Sequence, residues 1–257
     1  MKPILLITMG ATGSGKSKLA KEVINFLNIN NPKYYLIDDY VEKDPTYTRK
    51  INKFSKGKSI YSKMKKPSKK TLKYFEKSYF YSRKKGCKKK LKKKSIPKKL
   101  CIDLDKGGCD RLMDIDLNNS LVKGDNIVFE TKGEYYPKWL IKSANKCNKY
   151  KIVIAAIKVS LNNLIKRNIG RSVNDMKLFM SKQSLNAPRL PDTSVDSLKQ
   201  QKKKMNKTLK SISKNGCVKK MNTKFNRKFC SKFKVDRLLV YENNKNLKLI
   251  YDTNYFL

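Results

Sequence analysis

The chain has 257 residues, of which 62 are Lys or Arg and 20 are Asp or Glu, giving a formal net charge of +42. It contains no histidine, which excludes any mechanism that needs an imidazole base and leaves acid–base chemistry to Asp, Glu, Lys or Tyr. No run of about 18 apolar residues occurs, so we expect no membrane span. The apolar run from Ile4 to Ile7 is too short for a signal peptide, which favours a cytoplasmic protein.

Apolar strands alternate with amphipathic helices along the chain. The predicted strands are residues 3–9, 34–37, 127–129, 152–157, 238–241 and 247–251. The predicted helices are residues 17–27, 71–81, 114–122, 137–144, 161–168 and 195–214. This alternation predicts an α/β fold with a parallel sheet covered on both faces. Ligands of such sheets bind at the carboxyl ends of the strands.

The first strand is followed by a glycine-rich loop that matches the pattern G-x-x-x-x-G-K-[ST] in full. Its residues are Gly10, Ala11, Thr12, Gly13, Ser14, Gly15, Lys16 and Ser17. Glycines let backbone N–H groups converge on phosphate oxygens, while the lysine reaches the β and γ phosphates and the serine hydroxyl binds Mg²⁺. The pattern therefore predicts binding of a nucleoside triphosphate, with Ser17 as a metal ligand.

Two carboxylates, Asp38 and Asp39, follow the second predicted strand. A carboxylate at this place could accept the proton of a substrate hydroxyl, which is the role of a catalytic Asp in other kinases. The alternative is a helix N-cap or an acidic loop residue.

Two stretches carry most of the positive charge. Residues 49–100 hold 23 Lys or Arg and one acid, Glu76, and residues 199–234 hold 14 basic residues and no acid. We expect residues 83–99 to be a solvated loop or a frayed helix. Basic tracts favour polyanions, so nonspecific polyanion binding through both stretches is expected. Specific nucleic-acid binding and a mere compositional bias toward Lys, Asn and Ile remain alternatives.

The six cysteines are scattered, and no C-x-x-C pair occurs. Without such a pair or any histidine, a structural zinc site is not expected. We expect reduced and mostly buried thiols.

The third predicted strand leads into Phe129-Glu130-Thr131-Lys132-Gly133. This places an acid at the end of a buried strand, beside the first strand, which leads into the glycine-rich loop. Such a placement is like that of a Walker B acid. Glu130 could hold Mg²⁺ through water or, with Thr131, bind the substrate. The alternative is a strand-end acid paired with a lysine.

Arginine is rare in this chain, with 8 residues against 54 Lys. Arg167 and Arg171 are four residues apart, so they share one face if the helix continues past residue 168. Two guanidinium groups could clamp the γ-phosphate as charge spreads in the transition state. A basic surface helix is the alternative. Arg189 is a third, weaker candidate.

The order of these motifs resembles the zeta-toxin-like P-loop kinases, which are grouped with the adenylate-kinase-like small-molecule kinases. The resemblance covers residues 1–48 and 115–257 and includes the Gly-rich loop, "IDD", "IVFETKG", "RNIGR" and the closing strand after Val235. It implies a three-layer kinase fold with a central parallel sheet. The chain would be a single domain, 1–257, with a Lys-rich insertion at about 49–110.

The resemblance also implies a phosphotransferase that uses ATP or GTP and Mg²⁺. Asp39, and next Asp38, matches the general base of that family. Glu130 matches the Glu of the E-T-x-G segment, and Arg167 and Arg171 match the lid arginines. The bacterial toxins phosphorylate a UDP-amino sugar, but here the insertion stands where part of the acceptor site would lie.

Three functions therefore stay open. The first is a kinase that acts on a sugar nucleotide or another small molecule. The second is a kinase whose acceptor is the 5′-hydroxyl of a nucleic acid, guided by the basic and aromatic residues of 49–100. The third is a nucleotide-binding or polyanion-binding module without turnover.

Overall fold

The computed structural model describes residues 2–55, 68–181, 186–190, 194–214 and 235–253. The chain divides into two compact units. The first consists of Met1–Tyr35, Asn119–Leu164 and Val195–Leu257, and the second of Leu36–Asn118 and Ile165–Ser194. Within the described ranges, no helix is both long enough and apolar enough to span a membrane.

A six-stranded sheet forms the centre of the first unit. Its strands are β1 (Ile4–Met9), β2 (Lys33–Tyr35), β3 (Ile127–Thr131), β4 (Lys151–Lys158), β5 (Arg237–Asn243) and β6 (Leu247–Asp252). Their order across the sheet is β2-β3-β1-β4-β5-β6. Every neighbouring pair is parallel except β5 and β6, which are antiparallel. Both the predicted parallel sheet and the predicted place of β3 beside β1 are confirmed.

The two central strands are apolar along almost their whole length because both faces of the sheet are covered. Leu5, Leu6 and Ile7 of β1 are fully buried and pair in register with Ile152, Val153 and Ile154 of β4. This continuous apolar pattern distinguishes them from strands with one solvated face.

The helices that flank the sheet within the first unit are amphipathic. They are α1 (Lys16–Phe26), α7 (Lys138–Asn148) and α9 (Val195–Lys214). Helix α1 buries Leu19 and Val23, four residues apart, and contacts β1 and β4. In α9 the buried residues Leu198, Met205 and Leu209 recur at helical spacing, which leaves the lysines on the other face. The fold is therefore the predicted α/β class.

The second unit is helical in its described part. It contains α2 (Ile37–Glu42), α3 (Pro45–Ser55), α4 (Lys69–Lys85), α5 (Lys88–Leu91), most of α6 (Gly108–Lys123) and most of α8 (Leu161–Met180). Its core includes Tyr47, Ile51, Phe75, Cys109 and Met176. Ser68 begins α4 by accepting a hydrogen bond from the Thr71 N–H at 3.1 Å. The described part of the predicted insertion thus shares one apolar core with residues outside it, such as Tyr47 and Met176.

The prediction that a strand runs to residue 37 and ends on Asp38 and Asp39 is wrong. Strand β2 ends at Tyr35, and both carboxylates lie in the first turn of α2. Acidic side chains are favoured there because the N-terminus of a helix carries partial positive charge. Strand β3 likewise continues through Glu130 to Thr131 rather than ending before them.

The lysine-rich tract 83–99 is more ordered than a solvated loop. Helix α4 runs to Lys85 and α5 follows, and two lysines of the tract pair with carboxylates. Lys84 Nζ lies 2.8 Å from Asp105 and 3.1 Å from Asp110, and Lys94 Nζ lies 2.6 Å from Asp116. The Lys84–Asp105 and Lys94–Asp116 pairs are exposed and contribute about 0–1 kcal/mol each, whereas Asp110 is buried.

The expectation of reduced thiols is wrong for four cysteines. Cys101 and Cys147 are disulfide-bonded, and Cys87 and Cys109 form a disulfide in the second unit. The two residues are 22 positions apart, and the turn before α5 and the first turn of α6 bring them together. Cys217 and Cys230 lie outside the described residues.

Asp114 of α6 should make the stability of the second unit depend on pH. Burial, reinforced by the neighbouring carboxylates of Asp105 and Asp110, raises the pKa of Asp114 to about 6. Because the unfolded pKa is lower, near 3.8, this group costs stability progressively as pH rises between these two values and fully above about 6. Asp114→Asn should therefore stabilise the protein at pH 7.5, by about 1 kcal/mol after solvent screening, and have little effect at pH 4.

Urea unfolding at the two pH values measures this difference. Asn can still accept the hydrogen bond that the Asp105 N–H donates to Asp114 at 2.8 Å, so the substitution removes mainly the charge. Asp103→Asn, at an exposed position of the same unit, is the matched control and should change neither value. An equal effect of Asp114→Asn at both pH values would contradict the assignment.

Candidate active site

The glycine-rich loop connects β1 to α1 at the carboxyl edge of the sheet. Gly13 and Gly15 adopt positive φ angles of 78° and 93°, which a side chain would strain. The Leu19 N–H donates to the Gly15 carbonyl at 3.0 Å and closes the first turn of α1. The backbone N–H groups before Leu19 lie at the start of the helix, where N–H groups can bind an anion. The loop therefore has the form that its sequence predicts.

The ammonium group of Lys16 folds back over this loop. Its Nζ donates to the carbonyl oxygens of Gly10 and Ala11, at 3.1 and 3.5 Å. Ser17 is exposed in the first turn of α1.

The inside of the loop offers a polar atom that needs a partner. Ser14 is 1% exposed, and its hydroxyl has no hydrogen bond to any described residue. This hydroxyl lies against Gly10, where a Cβ would come within 2.3 Å of it. A buried hydroxyl without a partner is unfavourable, and a phosphate oxygen would satisfy it. The residues of the loop thus fit a phosphate group.

Two residues far away in sequence fix the shape of the loop. The Gln201 side-chain oxygen accepts from the Thr12 N–H at 3.1 Å and from the Thr12 hydroxyl at 3.2 Å. The Asn243 amide donates to the Ser14 carbonyl at 3.0 Å. These contacts span 189 and 229 positions, and no local motif marks either residue.

Gln201→Ala should weaken nucleotide binding about 5- to 100-fold. The substitution removes the acceptor of the Thr12 N–H, and a buried donor that loses its acceptor costs about 1–3 kcal/mol. We expect the loop to relax rather than the protein to unfold. Calorimetric titration with ATP and Mg²⁺ measures the change. Gln200→Ala, one residue away and exposed, is the control and should bind normally; equal affinities of the two variants would contradict this role.

Glu130 and Thr131 lie on β3, beside the strand that leads into the loop. Glu130 pairs in register with Thr8 of β1. Burial raises the pKa of Tyr34, and the negative charge of Glu130 raises it further. The Thr131 carbonyl accepts from the Gly10 N–H at 3.2 Å, and its hydroxyl accepts from the Gly133 N–H at 3.3 Å. Thr131 therefore anchors the start of the loop in addition to any contact with a substrate.

The second unit gathers a cluster of charged and phenolic groups around Asp38. The carboxylate accepts a hydrogen bond from the Tyr79 hydroxyl at 2.6 Å and forms an ion pair with Arg189. The Arg189 guanidinium also lies over the Tyr79 ring, 4.5 Å from its centroid. Burial alone would lower the pKa of Arg189, but Asp38 and Tyr79 raise it overall, so the guanidinium keeps its charge.

Asp39 has different surroundings although it is the next residue. Its carboxylate makes no hydrogen bond or ion pair to the part of the chain that is described. Desolvation by neighbouring atoms raises the pKa of Asp39; Lys43 opposes this effect, and Asp38 adds to it. A carboxylate with a raised pKa and no fixed partner suits proton transfer better than one held by an arginine.

Three further groups complete the cluster. Glu42 accepts a hydrogen bond from the Arg189 backbone N–H at 3.0 Å, and burial raises its pKa. Burial also raises the pKa of Tyr47 and of Tyr79, so both phenols stay protonated at neutral pH. The sequence does not mark Glu42, Tyr47 or Tyr79 as site residues. They lie in helices, and the hydrophobic pattern of a helix indicates only which residues face the core and which face the solvent.

The two predicted lid arginines lie on α8, which continues to Met180, well past residue 168. They therefore share a helix face, as their spacing predicts. Arg171 is exposed and pairs with Asp175 at 3.2 Å. Burial raises the pKa of Glu42, and the charge of Arg171 partly opposes this rise. Arg167 is half-buried on the same helix. Arg167, Arg171 and Arg189 belong to the second unit with Asp38 and Asp39, whereas the loop and Glu130 belong to the first.

No protein-family model matches the chain, and no curated protein matches its sequence. Among solved structures, one of the PezAT chromosomal toxin–antitoxin system of Streptococcus pneumoniae aligns with 99% of this chain and 72% of its own. Its TM-score is 0.52 and its identity is 11%. A shikimate kinase from Bacteroides thetaiotaomicron aligns over 93% of this chain and 86% of its own, with 16% identity. Its TM-score of 0.29 is too low to support any argument.

The likeness to the PezAT structure concerns the fold, since so low an identity carries no function with it. It agrees with the order of motifs along the chain and with the sheet that positions the loop. The chain is thus similar to the zeta-toxin-like P-loop kinases and has a P-loop kinase fold.

Proposed function

We propose that the protein is a kinase that transfers the γ-phosphoryl group of ATP or GTP to a hydroxyl of a sugar nucleotide or another small molecule. The observation that carries the proposal is the complete phosphate-binding loop, whose buried Ser14 hydroxyl has no partner among the described residues. A buried hydroxyl without a partner is unfavourable in a loop that only connects β1 and α1, whereas a phosphate oxygen would satisfy it.

The first unit holds the donor in this proposal. Backbone N–H groups of the loop and the Lys16 ammonium bind the phosphate oxygens. The Ser17 hydroxyl would hold Mg²⁺, and Glu130 would bind it through water or contact the substrate. When bound, the ion supplies positive charge that neutralises the phosphate oxygens.

The second unit supplies acid–base and charge groups. Asp39 takes the proton of the acceptor hydroxyl while the new O–P bond forms and the bond to the leaving diphosphate breaks. Arg167 and Arg171 neutralise the charge that spreads over the transferred group. Asp38 holds Arg189 in place, which leaves the remaining N–H groups of the guanidinium to bind the acceptor.

An acceptor of a second class is supported by a separate observation. Helix α4 exposes Phe80 and Tyr81, and the Lys50 Nζ lies 3.5 Å from the centroid of the Tyr81 ring. Aromatic rings beside lysines stack bases and bind phosphates, which suits the 5′ end of a nucleic acid. The lysines of 49–100 and 199–234 would also bind polyanions nonspecifically.

A phosphoryl-transfer screen tests these functions together. Purified protein with Mg²⁺ and labelled ATP or GTP is offered sugar nucleotides, nucleosides and 5′-hydroxyl oligonucleotides. We expect transfer to the first class. Transfer to oligonucleotides alone would favour the second acceptor, and intact ATP affinity without any transfer would leave a binding module.

A further inference from the structure

Three buried side chains converge in the second unit, apart from the residues assigned to phosphoryl transfer. Asp44, Cys87 and Cys109 are 2%, 4% and 0% exposed. One carboxylate oxygen and the two sulfur atoms all lie within 4.8 Å of one another. A carboxylate and two sulfurs at this separation are a ligand set for a borderline-soft cation.

Asp44 has a structural role that accounts for only one of its oxygens. It directly precedes α3, where its Oδ1 accepts from the Thr46 N–H at 3.2 Å and its carbonyl accepts from the Thr48 N–H at 3.1 Å. This is the arrangement of a helix N-cap. The other oxygen, Oδ2, is buried without a hydrogen bond to any described residue. A buried carboxylate oxygen in that condition is costly unless a cation or a donor joins it.

The backbone around the cysteines is shaped to bring these atoms together. Each cysteine follows a glycine, Gly86 or Gly108. A Cβ on Gly86 would come within 2.2 Å of Asp44 Oδ2. A Cβ on Gly108, whose φ is 69°, would come within 2.1 Å of the Arg83 carbonyl oxygen. Only glycines allow this approach, so the convergence is a built feature of the unit.

The sulfur atoms have contacts that suit a reduced state as well as a disulfide. Cys109 is in the first turn of α6, where partial positive charge favours an anion. Cys87 Sγ lies 3.6 Å from the Tyr40 carbonyl oxygen, a contact in which only a thiol can donate. Two thiolates on one zinc ion stand about 3.8 Å apart, so zinc and the disulfide exclude each other.

We propose that Asp44, Cys87 and Cys109 form a redox-controlled zinc site. A dithiol reductant gives two electrons and two protons to the Cys87–Cys109 disulfide and becomes a disulfide itself, while the S–S bond breaks to give two thiols. Zn²⁺ then displaces both thiol protons and binds the two sulfurs and Asp44 Oδ2. A water molecule completes the tetrahedron.

The first test uses the full chain, produced in a reducing bacterial cytosol and purified with a phosphine reductant. We expect about one tightly bound zinc ion per chain. Cobalt in place of zinc should give thiolate-to-metal charge-transfer bands and tetrahedral d–d bands. Oxidised glutathione should release the ion as the two thiols disappear. Protein that carries no zinc, keeps this disulfide under these conditions and gives no cobalt bands would overturn the proposal without recourse to any variant.

Variants locate the ion. Asp44→Asn keeps an N-cap acceptor but loses the anionic ligand, so zinc affinity should fall about tenfold or more while thermal stability without zinc changes little. The Cys87→Ser/Cys109→Ser double variant should lose the ion. Asp103→Asn and the Cys217→Ser/Cys230→Ser variant are controls that should bind zinc normally. Unchanged zinc affinity in either test variant would refute the site.

Discussion

Lys16→Ala should weaken ATP binding about 10- to 100-fold, because one charge-assisted hydrogen bond to a phosphate contributes about 1.5–3 kcal/mol. Phosphoryl transfer should fall further, about 100-fold or more, because charge builds up on the phosphate oxygens as the donor bond breaks. Calorimetry with ATP and Mg²⁺ measures the first effect, and transfer of labelled phosphate measures the second.

Two controls separate binding from folding. Lys18 is exposed on the same helix, so Lys18→Ala removes an equal charge two residues away and should bind ATP normally. The Lys16 ammonium also donates to the Gly10 and Ala11 carbonyls, so the thermal midpoint of Lys16→Ala must be compared with that of the wild type. Unchanged ATP affinity in a folded Lys16→Ala protein would refute the assignment of the loop.

The parts of the structure that the sequence predicted are those encoded by contiguous residues. The loop between Gly10 and Ser17 is local, and its shape follows from glycines that accept positive φ. The parallel sheet follows from continuous apolar runs such as Ile152 to Ile157, which only a strand buried on both faces requires. In both cases neighbouring residues alone carry the physical requirement.

The parts that could not be predicted depend on contacts between distant segments. Asp38 and Asp39 follow a short apolar run in the sequence. A short apolar run that stops at two acids predicts the end of a strand. The break at Leu36, where the extended chain turns into α2, has no strong signal in its residue types. Gln201 and Asn243 support the loop across 189 and 229 positions. No pattern of spacing can indicate such a contact.

The cysteines show the same limit. Two cysteines close together in sequence predict a zinc site, because a short turn then brings both sulfur atoms onto one ion. Here the pair spans 22 positions, and the third ligand atom that we propose belongs to the N-cap of another helix. Gly86-Cys87 and Gly108-Cys109 are two of the three Gly-Cys dipeptides in the sequence, and the role of each of these two glycines depends on the atoms that pack against it.

Asp39→Asn should lower kcat about 10²- to 10⁴-fold and leave ATP affinity unchanged, because the amide cannot take the acceptor proton. The acceptor is the one found by the transfer screen, or water if none is found. A general base acts in its deprotonated form, so kcat of the wild type should rise with pH through the pKa of Asp39. Because this pKa is raised, the rise should occur above the pH at which an ordinary Asp titrates. In Asp39→Asn this rise should be absent.

Asp38→Asn distinguishes the two neighbours. Asp38 holds Arg189 and Tyr79, so the variant should raise KM for the acceptor more than it lowers kcat. The negative charge of Asp38 also contributes to the raised pKa of Asp39. Removing that charge should therefore move the rise of kcat to lower pH without abolishing it. If Asp38→Asn abolished the rise and Asp39→Asn kept it, the general base would be Asp38 and the assignment made here would be reversed.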